Sequence, residues 1–345
     1  MTKLIECVPN FSEGRDKNKI DKIANSITSI PDVKLLHIDT GFDANRTVIT
    51  FAGSPEGVEK AAYESIKTAA QEIDMRKHRG THPRIGATDV FPLIPLHGIN
   101  EQECVDISMR IAQKVGNELS IPVYLYENSA ANPQRKNLAE IRKGNYEGFA
   151  DKMKLQEWKP DFGPDVFNPK TGATVIGVRN FLIAYNINLN STDTKAASTI
   201  AGILREKRFV KNSDGSVNEV QGRFKNCKAI GWFVPEYNCA QVSFNLINYK
   251  ITSVHHVYEE TKRLAAELGI SVTGSEIIGL IPEEAIKEAG NFYLSRNDNS
   301  GSFSDNEIIQ SAVFNLGLND KVLFDPEKKI LKSYYDLTSS SSGGY

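Results

Sequence analysis

Twice along this chain the apolar residues pass through the same order of periods, and that recurrence limits the fold more than any other feature. In the first half an apolar run over residues 4–8 precedes a stretch with Ile20, Ile23, Ala24 and Ile27 at helical spacing. Residues 33–39 and 47–52 then read as two strands separated by Gly41 and Asn45, a hairpin with a longer loop. Ser54 and Pro55 open a long helix as N-cap and first helical residue; its inward stripe is Val58, Ala61, Ala62, Ile66, Ala69, Ala70 and Ile73. A strand near Val90 completes β-α-β-β-α-β, the split ferredoxin-like unit. A helix over about residues 102–119 and a strand at 123–126 extend it.

The second half repeats this order without obvious residue identity, so the repeat is one of pattern. Residues 181–189 predict a strand, 194–205 a helix, 229–234 and 240–247 a strand pair, and 271–278 a closing strand. Between them, 254–268 predicts a helix with Val257, Thr261, Leu264, Ala265 and Leu268 inward. The expected fold class is α+β: two ferredoxin-like lobes, each with helices on one sheet face, the other faces opposed to form a ligand cleft. Pro133, Pro160, Pro164 and Pro169, with Gly144, Gly148, Gly163 and Gly172, make the section between residues 126 and 173 a connector with a short helix near 137–143. The expected boundaries are 1–178 for the first lobe and 179–330 for the second. Residues 331–345 end in a Ser/Gly run that buries no apolar surface, and disorder is expected there.

A chain of 345 residues is long for one core, which agrees with two domains. Its net charge of −2, with 40% hydrophobic and 24% charged residues, lacks the global basicity of a nucleic-acid binder. The first residues contain no signal-peptide core, and no run approaches the ~18 apolar residues of a membrane span, so a cytoplasmic protein is expected. Cys7, Cys104, Cys227 and Cys239 are far apart and form no Cys-x-x-Cys pair; reduced, buried thiols are expected rather than a metal site.

The segment from Met75 to Val90 carries most of the chemical information. Gly80, Pro83 and Gly86 interrupt regular structure there, so His78 and His82 sit on a loop between two packed elements, among Arg76, Lys77, Arg79 and Arg84. Such a loop attracts anions, and like charge lowers the proton affinity of an imidazole, leaving it neutral and basic near pH 7, as a general base requires. The plain alternative is a solvated basic loop. His78 and His82 have the His-x-x-x-His spacing of a metal pair, but Gly80 and Pro83 oppose the helix that would align them. One working histidine and no metal are expected.

Several ordered stretches resemble the glutamate formiminotransferases of folate-dependent histidine degradation. They are Glu6-Cys-Val-Pro-Asn-Phe-Ser-Glu-Gly-Arg15, Asn45-Arg-Thr-Val48, Lys77-His-Arg-Gly-Thr-His-Pro-Arg-Ile-Gly-Ala87, Pro122-Val-Tyr-Leu-Tyr126, Pro160-Asp-Phe-Gly-Pro164, Gly172-Ala-Thr-Val175 and Gly279-Leu-Ile-Pro282. The resemblance implies transfer of a formimino group from N-formimino-L-glutamate to N5 of tetrahydrofolate, with tetrahydrofolate as co-substrate and no metal. It places the catalytic base on His82 and the folate-binding stretch on Gly163, Pro164, Asp165, Val166, Phe167, Asn168, Pro169, Lys170, Thr171 and Gly172. It also implies a homodimer and a separate cyclodeaminase acting on the product, because nothing of the fused deaminase of vertebrate members is matched. Asp39 is the expected carboxylate orienting His82, ahead of Asp89. Asn10, Arg46, Arg79, Arg84, Tyr126 and Arg179 are the expected substrate contacts, guanidinium groups being suited to carboxylates. The rival readings are a related donor such as formiminoglycine or 5-formyltetrahydrofolate, a non-catalytic folate carrier, and a metal-dependent hydrolase built on the two histidines.

Overall fold

A computed structural model describes residues 3–212, 214–296 and 302–331, and the expected disordered tail lies almost wholly outside them. The chain divides into two compact units between Asn180 and Phe181.

The first unit begins with β1 (Leu4–Cys7) and β2 (Asn10–Phe11), two pieces of one strand interrupted at Val8 and Pro9. Next come α1 (Lys17–Thr28), β3 (Val33–Gly41), β4 (Arg46–Gly53), α2 (Pro55–Glu72), β5 (Thr88–His97), α3 (Glu101–Leu119) and β6 (Val123–Glu127). The helices start where capping chemistry directs. Asp16 accepts from Asn18 N and Lys19 N, Ser54 accepts from Gly57 N, and Asn100 with Glu103 forms a reciprocal capping box. Across the sheet the order is β3, β4, β1 with β2, β5, β7, β6, where β7 is Thr174–Val178. The first four positions are the ferredoxin-like arrangement. Ile5, Cys7, Phe11, Ile49, Phe51, Phe91 and Leu93 project to one face and pack with Ile23, Ile27, Val58, Ile66, Ile107 and Ile111 of the three helices.

Strand alternation then sends Glu6, Asn10, Arg46, Val48, Thr50 and Ala52 to the opposite face, and register brings His37 and Asp39 to it beside Thr50 and Val48. Part of that face is covered by a second apolar cluster. There Tyr124, Tyr126, Val90 and Val175 meet Ile141, Phe149 and Met153 from α4 (Leu138–Arg142), α5 (Asn145–Lys152) and the residue that follows. The section expected to be a connector with one short helix holds that helix as α4 and a second one, α5, and it leads into β7, a strand that was not expected. Glycine and proline signals mark its turns correctly, but β7 is only five residues long and pairs in parallel with β5 and β6, a long-range arrangement with no local signature.

The second unit holds β8 (Ile183–Leu189), α6 (Thr194–Leu204), β9 (Lys207–Lys211), β10 (Val217–Gln221), β11 (Cys227–Val234), β12 (Cys239–Leu246), α7 (Val254–Glu267) and β13 (Val272–Ile278). Its four-stranded sheet has the order β11, β12, β8, β13, again ferredoxin-like. Tyr185, Ile187, Val242 and Phe244 pack against Ile200, Val257 and Leu264. The β9–β10 hairpin and the later helices α8 (Glu283–Ser295) and α9 (Asp305–Asn315) are additions that the period-counting did not resolve. Leu268, expected inward, is instead the C-cap of α7 and is 47% exposed. All four cysteines are buried free thiols. No helix among the described residues is long and apolar enough to cross a membrane.

Candidate active site

The loop between α2 and β5 is irregular because its glycines and proline forbid anything else, yet it is held on two sides. Toward the β3–β4 turn, Thr81 N donates to Asp43 O (3.1 Å) and Asn45 Nδ2 donates to Arg79 O (3.0 Å). Toward the segment entering β7, Met75 N donates to Lys170 O (2.8 Å), Ala87 N to Thr171 O (2.7 Å), and Ala173 N to Ile85 O (3.0 Å). Such close seams need residues without side chains: a Cβ on Gly86 would lie 2.1 Å from Ala173 O. Gly86→Ala should therefore part the two segments and cost roughly 1–3 kcal/mol of stability, the usual range for overpacking. An unchanged melting temperature for that variant would show that the seam yields freely.

His78 and His82 have different surroundings. His78 is buried; its Nδ1 accepts from Arg84 Nε (3.2 Å), so Nε2 carries the hydrogen and donates to Asn45 O (2.8 Å). Burial lowers its proton affinity against the opposing effect of the Asn45 hydrogen bond. Nε2 thus fastens the loop to the β3–β4 turn while Nδ1 ties His78 to Arg84 within the loop, and a two-histidine metal site would have to give up one of these bonds. His82 is half-buried, and its Nδ1 donates to the carbonyl of Pro83 (2.7 Å), which leaves the lone pair on Nε2. Burial, then the charges of Arg46 and Arg142, hold its pKa well below the ordinary histidine value, with Asp89 and the Pro83 hydrogen bond acting the other way. The ring is neutral at neutral pH.

The cations that act on His82 are not those adjacent in sequence. Arg76 is paired with Asp74 (2.7 Å), Arg79 Nη1 donates to His78 O (2.7 Å), and Arg84 grips Glu147 through two bonds of 2.8 and 2.6 Å. Arg84 and His78 are therefore part of the loop's scaffolding. The network beside His82 is centred on Asp89, which is fully buried. One oxygen accepts from Ile85 N (3.0 Å); the other accepts from Arg46 Nη1 (2.6 Å) and from Arg142 Nη2. Burial works to raise the Asp89 pKa, but the two guanidinium groups outweigh it and hold the carboxyl well below the usual range. Arg46 also donates to Asn10 Oδ1 (2.9 Å), and burial brings its pKa down to about 10 despite Asp89. Arg142, at the end of α4, was missed in the sequence because nothing in a short helix beyond several prolines points toward residue 82.

Asp39 lies on β3 with its carboxylate 3.6 Å from His37 Nε2. The acceptor on His82 Nδ1 is a backbone carbonyl, so the tautomer does not rely on a carboxylate for its definition. Tyr126 is buried, its phenol pushed up to about 12 by burial against the opposing charge of Arg179. In the stretch 163–172, Phe167 packs on Tyr146 and Phe149, while Val166 is 69% exposed. Asn168 caps the turn by accepting from Lys170 N and Thr171 N, and Lys170 Nζ donates to Gln71 O at the end of α2 (3.0 Å). The stretch is thus stitched directly to the loop that carries His82. Asp165 pairs with Lys159 on the surface.

Residues 4–179 match the formiminotransferase domain, N-terminal subdomain, and residues 184–336 match the formiminotransferase domain. The chain belongs to the formiminotransferase family. Formimidoyltransferase-cyclodeaminase of Dictyostelium discoideum is 45% identical over 331 residues, covering 96% of this chain and 60% of that protein. Glutamate formimidoyltransferases of Streptococcus pyogenes and Thermoplasma acidophilum are each 41% identical; the matches cover 86% and 89% of this chain and 95% and 96% of those proteins. The chain therefore spans about 60% of the length of the bifunctional relative and nearly the whole of the monofunctional ones. Every residue of the His82 network, from Asn10 to Arg142, falls within the formiminotransferase N-terminal subdomain.

Proposed function

We propose that the chain transfers the formimino group of N-formimino-L-glutamate to N5 of tetrahydrofolate, with His82 as acid and base. The observation that carries this reading is a neutral imidazole, fixed as the Nδ1–H tautomer by Pro83, beside a buried Arg46–Asp89–Arg142 network. In the reaction, N5 of the reduced pterin attacks the amidine carbon. Nε2 takes the proton that N5 loses, the C–N bond to glutamate breaks, and the same proton passes to the departing amine, so 5-formiminotetrahydrofolate and glutamate leave with the ring neutral again. Asn10, Arg46, Tyr126 and Arg179 are the proposed substrate contacts. Residues 163–172 are proposed to hold the folate, with Phe167 and Pro169 along its rings and Lys170 toward its carboxylate tail. A homodimer in the cytoplasm, with a separate cyclodeaminase consuming the product, completes the proposal.

Pure protein incubated with tetrahydrofolate and formiminoglutamate should form 5-formiminotetrahydrofolate and release glutamate. Parallel incubations with formiminoglycine and 5-formyltetrahydrofolate identify the donor; folate binding without turnover of any donor would leave a carrier. The pH dependence supplies a second test. Because the pKa of His82 is depressed, the basic form persists as pH falls, and kcat should decline only well below the ordinary ~6.5. A kcat midpoint at or above that value would mean that the Asp89 carboxylate, not the two arginines, dominates at the ring.

A further inference from the structure

Glu6 is the one charged residue in β1, between Ile5 and Cys7, whose side chains pack into the helix-side core. Alternation turns Glu6 to the other face, where it stands opposite Ala52 of β4 and Ile94 of β5. It is 1% exposed, and neither carboxyl oxygen has a hydrogen-bond partner among the described residues. The hydroxyl of Thr50, on the same face, is also buried without a partner among the described residues. Both residues are unusual in a protein interior, where a buried carboxyl is normally paired or hydrogen-bonded. Arg179 supplies a favourable charge, but burial still pushes the carboxyl up to about 7. Glu6 lies four residues before Asn10 on the interrupted strand, so it and the Arg46–Asn10 contact are on one sheet face, roughly 13 Å apart along the strand.

We infer that Glu6 is a ligand-contacting residue whose two oxygens accept a pair of parallel N–H donors from a planar N–C–N group on a substrate. The inference rests on the activity proposed above, and both of its substrates carry such a group: the amidine of the donor and the aminopyrimidinone edge of the reduced pterin. A carboxylate matches two parallel N–H groups bidentately, which satisfies the acceptors left without partners in the free chain.

Glu6→Gln keeps the shape but exchanges one acceptor for a donor, so it breaks the two-acceptor match. Calorimetric titration of wild type and variant with tetrahydrofolate and with formiminoglutamate, each separately, should show a roughly 10- to 100-fold weaker affinity for one of them, and which one identifies the source of the N–H pair. The thermal stability of the free variant should be equal or higher, because a buried unpaired carboxyl has been removed; a merely structural glutamate would show the reverse. Affinities within twofold of wild type for both ligands would overturn the inference. Binding is read apart from turnover, so failure of the proposed transfer reaction is a distinguishable result. If Glu6→Gln does not fold, crystal structures of the wild-type chain with each substrate decide: a ligand N–H nitrogen within about 3.2 Å of Glu6 supports the inference, and ordered ligands that leave both oxygens without one overturn it.

Discussion

His82→Ala should lower kcat roughly 10²- to 10⁴-fold while changing tetrahydrofolate affinity little, because the imidazole acts on protons in flight more than on bound ground states. Rapid-quench measurement of glutamate release, beside equilibrium binding of tetrahydrofolate, separates the two effects. A folded variant with full kcat would remove His82 from the mechanism. His78→Ala provides the internal comparison. Its ring joins Arg84 to the Asn45 carbonyl, so its removal should act mainly on stability and on the position of the loop. Equal losses of kcat at the two positions, without loss of stability at His78, would return the two histidines to a shared role.

The second large effect is expected at Asp89. Asparagine would preserve the volume and can still accept from Ile85 N, but it leaves Arg46 and Arg142 buried side by side without a counter-charge. Removing one member of a buried ion network typically costs ~3–5 kcal/mol, chiefly as the penalty on the charge left behind. For a unit of this size that is a fall of roughly 6–20 °C in melting temperature. The same substitution removes the Asp89 carboxylate, whose charge raises the His82 pKa, so whatever folded protein remains should hold its kcat to still lower pH. An Asp89→Asn protein that melts like wild type would mean that the two arginines find other partners, and the network would lose its central place.

The two ferredoxin-like units were legible because each depends on periods that a sequence displays directly. Ile20, Ile23, Ala24 and Ile27 line one helix face, and Ile49 and Phe51 alternate with Val48 and Thr50 on a strand. The loop that carries His78 and His82 was legible because residues whose backbone effects are local, Gly80, Pro83 and Gly86, break regular structure there, whereas the choice of His82 over His78 came from the family resemblance. What surrounds His82 was not, because electrostatics in a folded chain depends on distance in space. Arg76, Lys77, Arg79 and Arg84 adjoin it in sequence, whereas Arg46 and Arg142 arrive from β4 and α4. Glu6 shows a weaker failure. The first strand reads as an apolar run, and only strict attention to alternation would have noted that its single charge must face away from Ile5 and Cys7.

The seam between the His82 loop and residues 170–173 joins segments that the ribosome makes far apart in time. By the time β5 has emerged, Asn10, Arg46, His82 and Asp89 are all present, yet Arg142 and the strand that braces their loop have not been synthesised. Domains generally fold as units during synthesis, and a contact between distant segments must wait for both. The nascent chain thus carries His82 for dozens of codons before the segments that brace its loop exist, and a truncated product ending before β7 would hold the histidine without the frame.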